Sequence, residues 1–548
     1  MKLTAALLAA AILVPGLTAD DWQRARENAA GAQRGIRFAK RAVYGWLDQA
    51  DPDTGLIPRN LSRDRYWNAK DAAADNFPFF LLTAQITGLH HLKRATLEML
   101  ETEQRLTNRL DRLPDDFLFD RQGFRDGPYR LDDLIFGASE YAKDGLTPIT
   151  EWLGPGPWLE RMRGLIDDVW KHAPYDSPAG KLPSHSLEVN GELLQVCSRL
   201  YWMTGEPRYR DWAFRLADHY LLAEENDILK RERLQLDDHS CEIIGGLSEA
   251  YVLAAKTDEE RWERYRPRMH AILDRVLEVG RNRDGLLYHT VNPVTGAVIN
   301  DDLTDNWGYN YNAFLTVAQV DGTERYRKAV EFALENLYAY RDYPWEGGGA
   351  DGYADSIEGA INLLNRIPVD SAWRWVERSM QVLLARQRPD GIIEGWHGDG
   401  NAIRTTLMWV LWKTQGITAE PWREDIAVGA APLETGGVRV WVSSRYPWRG
   451  RLRFDRPRHR VYHHFPLDYP RLNQFPEWFV VEAGTRYRVI QRPGGQRVVD
   501  GRQLYGFELE LPENGEVWLT VLPENGGPER TQARSGRRFS AAAPNSSR

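Results

Sequence analysis

Residues 314–337 read FLTVAQVDGTERYRKAVEFALENL. The first part is apolar and carries no charge before Asp321. Asp321-Gly322-Thr323 is a turn, with the glycine where a left-handed residue closes a helix. The remainder places Val330, Ala333, Leu334 and Leu337 on one stripe and charges on the other, as an amphipathic helix does. The same sentence recurs at 81–100 (LLTAQITGLHHLKRATLEML), 201–221 (YWMTGEPRYRDWAFRLADHYL), 251–273 (YVLAAKTDEERWERYRPRMHAIL) and 361–384 (INLLNRIPVDSAWRWVERSMQVLL). Repetition at intervals of roughly 45 to 70 residues predicts stacked helical hairpins, none of which can bury its apolar face alone. About fourteen helices between residues 22 and 416 predict six or seven hairpins. The expected fold is therefore mainly α, an (α/α)6 toroid with seven hairpins as the variant.

The period changes after about residue 425. The stretches GGVRVWVSSRYPWRGRLRFD, EWFVVEAGTRYRVI, YGFELELP and EVWLTVLP alternate apolar with polar residues between Gly, Pro and Asn turns, which predicts an antiparallel β-sandwich packed against the ring. Residues 1–19 have the layout of a secretory signal peptide, with one Lys, a short apolar run and a small-residue end. The expected organisation is signal peptide 1–19, toroid 20–420, sandwich 421–525 and a disordered tail 526–548, in a secreted or periplasmic protein with no span in the mature chain.

Over its 548 residues the chain has a net charge of −8 and 27% charged residues, without a long basic run. That excludes a nucleic-acid partner, which needs a concentrated cationic face. Its 21 Trp and 23 Tyr supply flat faces of the kind that stack on sugar rings, beyond those needed to fill a helical core. Two cysteines, Cys197 and Cys241, allow neither a disulfide framework nor a cysteine zinc site; both are expected as buried thiols, with a single bridge between them as the alternative if their helices are neighbours.

Chemistry is expected where long loops enter the inner helices, because those positions vary without disturbing the core. The openings carry Asn68, Asp71, Asp75 and Asn76; His185, Glu188 and Asn190; Asp237, Asp238, His239 and Glu242; Asp301, Asp302, Asp305, Asn306, Trp307, Tyr309 and Tyr311; Asp351, Tyr353, Asp355 and Glu358; and Glu394, Trp396, His397, Asp399, Asn401 and Arg404. A further helix, RLDDLIFGASEYA, with Asp132 and Asp133, either joins the ring or caps it. Single acids there cap first turns, but several per opening, some a turn inside an apolar helix, exceed what capping requires.

Cleavage of a glycosidic bond needs one protonated carboxyl and one carboxylate. The expected acid/base pair lies among Asp238, Asp302, Asp305 and Asp355. Asp75, His185, Asn190, His239, Trp307, Tyr309, Tyr311, Tyr353, Glu358, Trp396, His397 and Arg404 are the expected sugar contacts. Asp238, His239 and Glu242 have ligand chemistry, yet such short clusters are common, so neither a metal nor another cofactor is expected. The competing readings are a uronate lyase, with His185, Asn190, His239, Tyr309 and Arg404 in its site, and a non-catalytic glycan-binding protein.

Residues 22–416 resemble the six-hairpin glycosidase superfamily through the repeated hairpins, the Trp/Asp-rich openings and phrases such as DGLLYH at 284–289. The stretch DDLTDNWGYNYNAF at 301–314 is similar to the acidic, Trp-containing segment of unsaturated glucuronyl hydrolases, without the Arg-Gly-Gln element found there. The resemblance implies an (α/α) toroid and a sugar-directed activity. Glycoside hydrolase is the expected function.

Overall fold

A computed structural model describes residues 19–238 and 241–524. The signal-peptide expectation, the tail from 526 and His239 lie outside them.

The apolar helices form the inner layer. They are α2 (Phe77–Thr87), α4 (Leu131–Glu140) continued by α5 (Thr147–Leu153), α7 (Leu187–Thr204), α9 (Cys241–Thr257), α11 (Trp307–Asp321), α13 (Ala350–Leu364) and α15 (Gly398–Thr414). Each packs on the next, and α15 returns to α2, so the layer closes. The outer layer is α3 (His90–Leu106), α6 (Pro157–Lys171), α8 (Pro207–Leu221), α10 (Glu259–Val279), α12 (Glu324–Asn336), α14 (Asp370–Ala385) and α1 (Ala19–Leu47). Among the described residues this makes seven hairpins, the last joining the first helix of the chain to α15. The helix of Asp132 and Asp133 thus belongs to the ring, with both aspartates on its exposed side.

The hairpins follow from the turn chemistry read in the sequence. Gly88, Gly205 and Gly322 close α2, α7 and α11 at φ 65°, 71° and 65°, conformations that glycine adopts without penalty. Gly308 and Gly359 meet where α11 crosses α13; a Cβ on Gly308 would lie 2.5 Å from the Gly359 Cα. That approach draws the inner wall tight.

Two inner segments depart from α-helical winding. Ala69–Ala73 and Tyr141–Leu146 are wound as wider π-turns, a geometry often found at functional sites. Both face the lumen.

Beyond α15 the chain forms two antiparallel sheets. One runs in the order Ile426–Pro432, Val438–Ser444, Gly515–Pro523, Arg486–Arg492, Gln496–Asp500, the other Phe507–Leu511, Trp448–Arg453, Thr418–Glu420. Alternation is kept: Phe507, Leu509 and Leu511 are buried while Glu508 and Glu510 are exposed. The first sheet lies on α1, whose Ala25 and Ala29 backbone approaches Gly429.

The segment between the sheets leaves them and closes the ring at the C-terminal ends of the inner helices. Arg471 is fully buried on Glu151 at 2.5 Å. Tyr469 Oη donates to Glu249 at 2.9 Å, which also holds Arg199 at 2.6 Å. Thr316 Oγ1 donates to the Pro470 carbonyl at 3.1 Å. Among the described residues the ring is therefore open at one end only, where the inner helices begin.

Candidate functional site

The inner helices bring polar stripes to the lumen. Positions i, i+4 and i+7 share a helix face, and Asp351, Asp355 and Glu358 on α13 follow that spacing, as do His397, Asn401 and Arg404 at the start of α15. Together with the two π-turns they surround a cavity of about 280 Å³. Its floor is Leu472 and Asn473 of the closing segment.

Among the described residues the cavity wall carries nine carboxylates, Asp71, Asp75, Glu140, Asp144, Glu188, Asp238, Glu242, Asp351 and Asp355, against four cations, Arg59, Lys70, Lys143 and Arg404. The excess opposes a polyanionic ligand.

Arg404 organises one wall. Its Nη2 donates to Asp355 Oδ1 at 2.6 Å, its Nη1 to Asn401 Oδ1 at 3.0 Å, and its Nε pairs with Glu358 Oε2 at 2.6 Å. Asn306 Nδ2 donates to the other Asp355 oxygen at 3.2 Å. One turn earlier, among the described residues Asp351 has only the Asn401 amide as donor, at 2.7 Å. Burial and the Asp355 charge push the Asp351 carboxyl well above the usual range. Burial raises Asp355 also, but Arg404 opposes it most strongly there, so of the two Asp355 is the one its surroundings hold toward the ionised form.

Lys143 organises the facing wall. It pairs with Asp144 at 3.0 Å, Glu242 at 3.5 Å and Glu192 at 3.7 Å. Burial lowers its affinity for a proton, but these carboxylates outweigh that and keep it charged. Asn473 ties the two walls together: its backbone N–H donates to Glu358 Oε1 at 2.7 Å and its side chain to Asp144.

A third cluster stands beside them. Asp71 is held by Arg59 and Asn68; burial alone would raise its carboxyl, but His397, Arg59 and Asn68 bring it below the usual range. Burial pushes the His397 imidazole down and, with the Asp144 charge, pushes Asp75 well up. Three groups bring ligand atoms within 4.8 Å of one another: Asp71, Asp75 and His397; Asp238, Cys241 and Glu242; Glu140, Glu188 and Glu192.

The structure separates the residues expected from sequence. Asp75, Asp238, Tyr309, Asp355, His397 and Arg404 line the cavity. Glu358 lies beneath it, wholly buried on Arg404, with its carboxyl raised by burial to about 7 against the pull of Arg404. Asp305 is half-buried behind the wall, accepting from the Asn306 N–H at 3.1 Å. Asp302 is exposed on strand Val298–Leu303 and does not reach the cavity.

Trp307 and Tyr311 are core residues rather than sugar platforms. Trp307 Nε1 donates to Ser356 Oγ at 2.8 Å and Tyr311 Oη to the Gly285 carbonyl at 2.6 Å. At 100° per residue Trp307 and Tyr311 share one face of α11 and Tyr309 has the opposite one; the lumen takes Tyr309. Tyr353 is buried with its hydroxyl on the Tyr343 carbonyl. Trp396 is half-buried, donating to Glu394 at 2.8 Å with its ring edge-on to His397. Neither lines the cavity. His185 is exposed against Tyr175, and Asn190 Nδ2 is spent on the Ser184 carbonyl and Tyr220, each at 2.8 Å.

Glu140, Lys143 and Asp144 are not among the residues expected from sequence; polar residues set among Ala and Gly in ASEYAKDG are the available signal. Asp71, Glu188, Asp351 and Asn401 stand in the openings without an assigned site role and Glu242 only with ligand chemistry; the i, i+4, i+7 stripe selects Asp351 and Asn401. Arg59 and Asn473 carry no local signal.

No family model matches the sequence, and no curated protein does. The chain is similar to solved structures of sugar-directed proteins. A GH76A α-1,6-mannanase from Salegentibacter sp. HEL1_6 is 11% identical, with 69% of this chain and 98% of that one covered at a TM-score of 0.39. A cellobiose 2-epimerase from Spirochaeta thermophila is 15% identical, with 60% and 88% covered at 0.40. The unsaturated glucuronyl hydrolase from Bacillus sp. GL1 is 13% identical, with 70% and 96% covered at 0.35.

Proposed function

We propose that the chain is a glycoside hydrolase working in the lumen of the ring, with Asp351 as proton donor and Asp355 as the ionised partner. The observation that carries this reading is the asymmetry between two acids one helical turn apart: among the described residues Asp355 has Arg404 at 2.6 Å and Asn306 at 3.2 Å, Asp351 only an amide. Asp351 would protonate the glycosidic oxygen while Asp355 assists attack at the anomeric carbon, the division of labour that such hydrolysis needs.

Tyr309 argues against the lyase reading. An eliminating tyrosine needs its phenolic proton loosened, whereas burial and the Asp355 and Glu358 charges push the Tyr309 hydroxyl well up. The acidic wall also repels uronates. Cys197 takes no part; burial pushes its thiol to about 12. We read the N-terminal residues as an export signal, and among the described residues no helix is long and apolar enough to cross a membrane.

The test is to incubate the protein with neutral and uronate-containing glycans while following reducing ends and unsaturated-uronate absorbance together. New reducing ends without that absorbance support hydrolysis. New absorbance replaces it with elimination, and neither signal on any glycan leaves binding without catalysis as the reading.

A further inference from the structure

We propose that Asp71, Asp75 and His397 bind a divalent cation of the Mn²⁺ or Zn²⁺ class on the cavity wall, with its remaining coordination positions open to the lumen.

The three side chains offer ligand atoms within 4.8 Å of one another. They come from two elements that touch: a Cβ on Gly400 would fall 1.3 Å from the Asp75 carbonyl oxygen, so only glycine lets α15 seat His397 against the first π-turn. Asp71 has one oxygen occupied. Arg59 Nε and Asn68 Nδ2 both donate to its Oδ2, leaving Oδ1 toward His397. Donors on the far side of a ligating carboxylate are what orient it in metal sites.

Asp75 supplies the independent observation. It is 7% exposed and lines the cavity, yet among the described residues its carboxylate has no hydrogen bond and no ion pair. Its oxygens open on the cavity rather than on a protein donor, which leaves them available to a cation at this place. His397 repeats the pattern. Its Nδ1 is buried without a hydrogen bond, although it lies 3.3 Å from Asp71 Oδ1. Ligands of one ion at bond lengths of about 2.0–2.1 Å stand roughly 3.0–3.4 Å apart. Two carboxylates with one imidazole suit Mn²⁺ or Zn²⁺ better than Ca²⁺ or Mg²⁺. The open positions face the space assigned to sugar and suit vicinal hydroxyls.

The experiment is metal binding to the full chain after chelator treatment and dialysis, read as loss of the free Mn²⁺ resonance and, for Zn²⁺, by competition with a chromophoric chelator. Wild type is expected to bind one equivalent and to melt at a higher temperature with the cation. Asp75→Asn and His397→Gln are each expected to bind at least about tenfold more weakly and to lose the shift. Absence of stoichiometric binding by wild type below millimolar cation overturns the proposal, as does undiminished binding in both variants. Should Asp75→Asn fail to fold, wild type and His397→Gln decide it. Asp355→Asn, expected to be inactive, should bind the cation like wild type, so failure of the hydrolase reading and failure of this one are separable.

Discussion

At residue scale the acid pair makes the sharpest demand. On the hydrolase reading, Asp351→Asn keeps the Asn401 contact but removes the transferable proton, and Asp355→Asn removes the charge that Arg404 holds. Each is expected to lower kcat by about 10²- to 10⁴-fold, with circular dichroism unchanged, on whichever glycan gives reducing ends. Because Asp351 is raised, the wild-type kcat profile should fall on its alkaline side, and that limb should vanish in Asp351→Asn. The aromatics separate as cleanly. Trp307→Ala empties a core position and is expected to cost about 3–5 kcal/mol in denaturant unfolding. Tyr309→Phe keeps the volume and is expected to shift kcat or KM with little change in stability. The sequence set Trp307, Tyr309 and Tyr311 side by side; their roles divide because neighbouring odd positions on a helix face opposite ways.

At the scale of elements, the closing segment binds the β-rich part to the ring. Arg471 and Glu151 are each about 1% exposed at the side chain, and removing one leaves the other charged and buried. Arg471→Ala is expected to destabilise by about 3–5 kcal/mol, and adding Glu151→Ala should recover part of the loss in a double-mutant cycle. A merely exposed pair would show a coupling below about 1 kcal/mol. The π-turns make the same point from the other side. Lys143 and Asp144 reach the lumen from the π-wound segment Tyr141–Leu146, and hydrophobic period alone carries no sign of that winding.

For the molecule as a whole, the acidic lumen sets a pH dependence. Burial raises Glu192 from an ordinary value of 4.5 to about 8, with Lys143 opposing, and Glu358 to about 7. A carboxyl raised in the folded state stabilises it fully below the unfolded value, and that contribution is lost as pH climbs through the folded one. Melting temperature is therefore expected to fall between about pH 5 and 8. Glu192→Gln, which holds no charge to desolvate, should flatten the fall; an unchanged slope would remove Glu192 from the account. The sequence by itself determined the hairpins, their turns, the apolar inner layer, the β-rich end and the acids at the mouths of the inner helices, because all are written in local period and turn chemistry. The tertiary structure alone decided the count of seven hairpins, by pairing α1 with α15 from opposite ends of the chain. It also decided which acids share a cavity and that Asn473 forms the floor, since these depend on contacts between residues hundreds of positions apart.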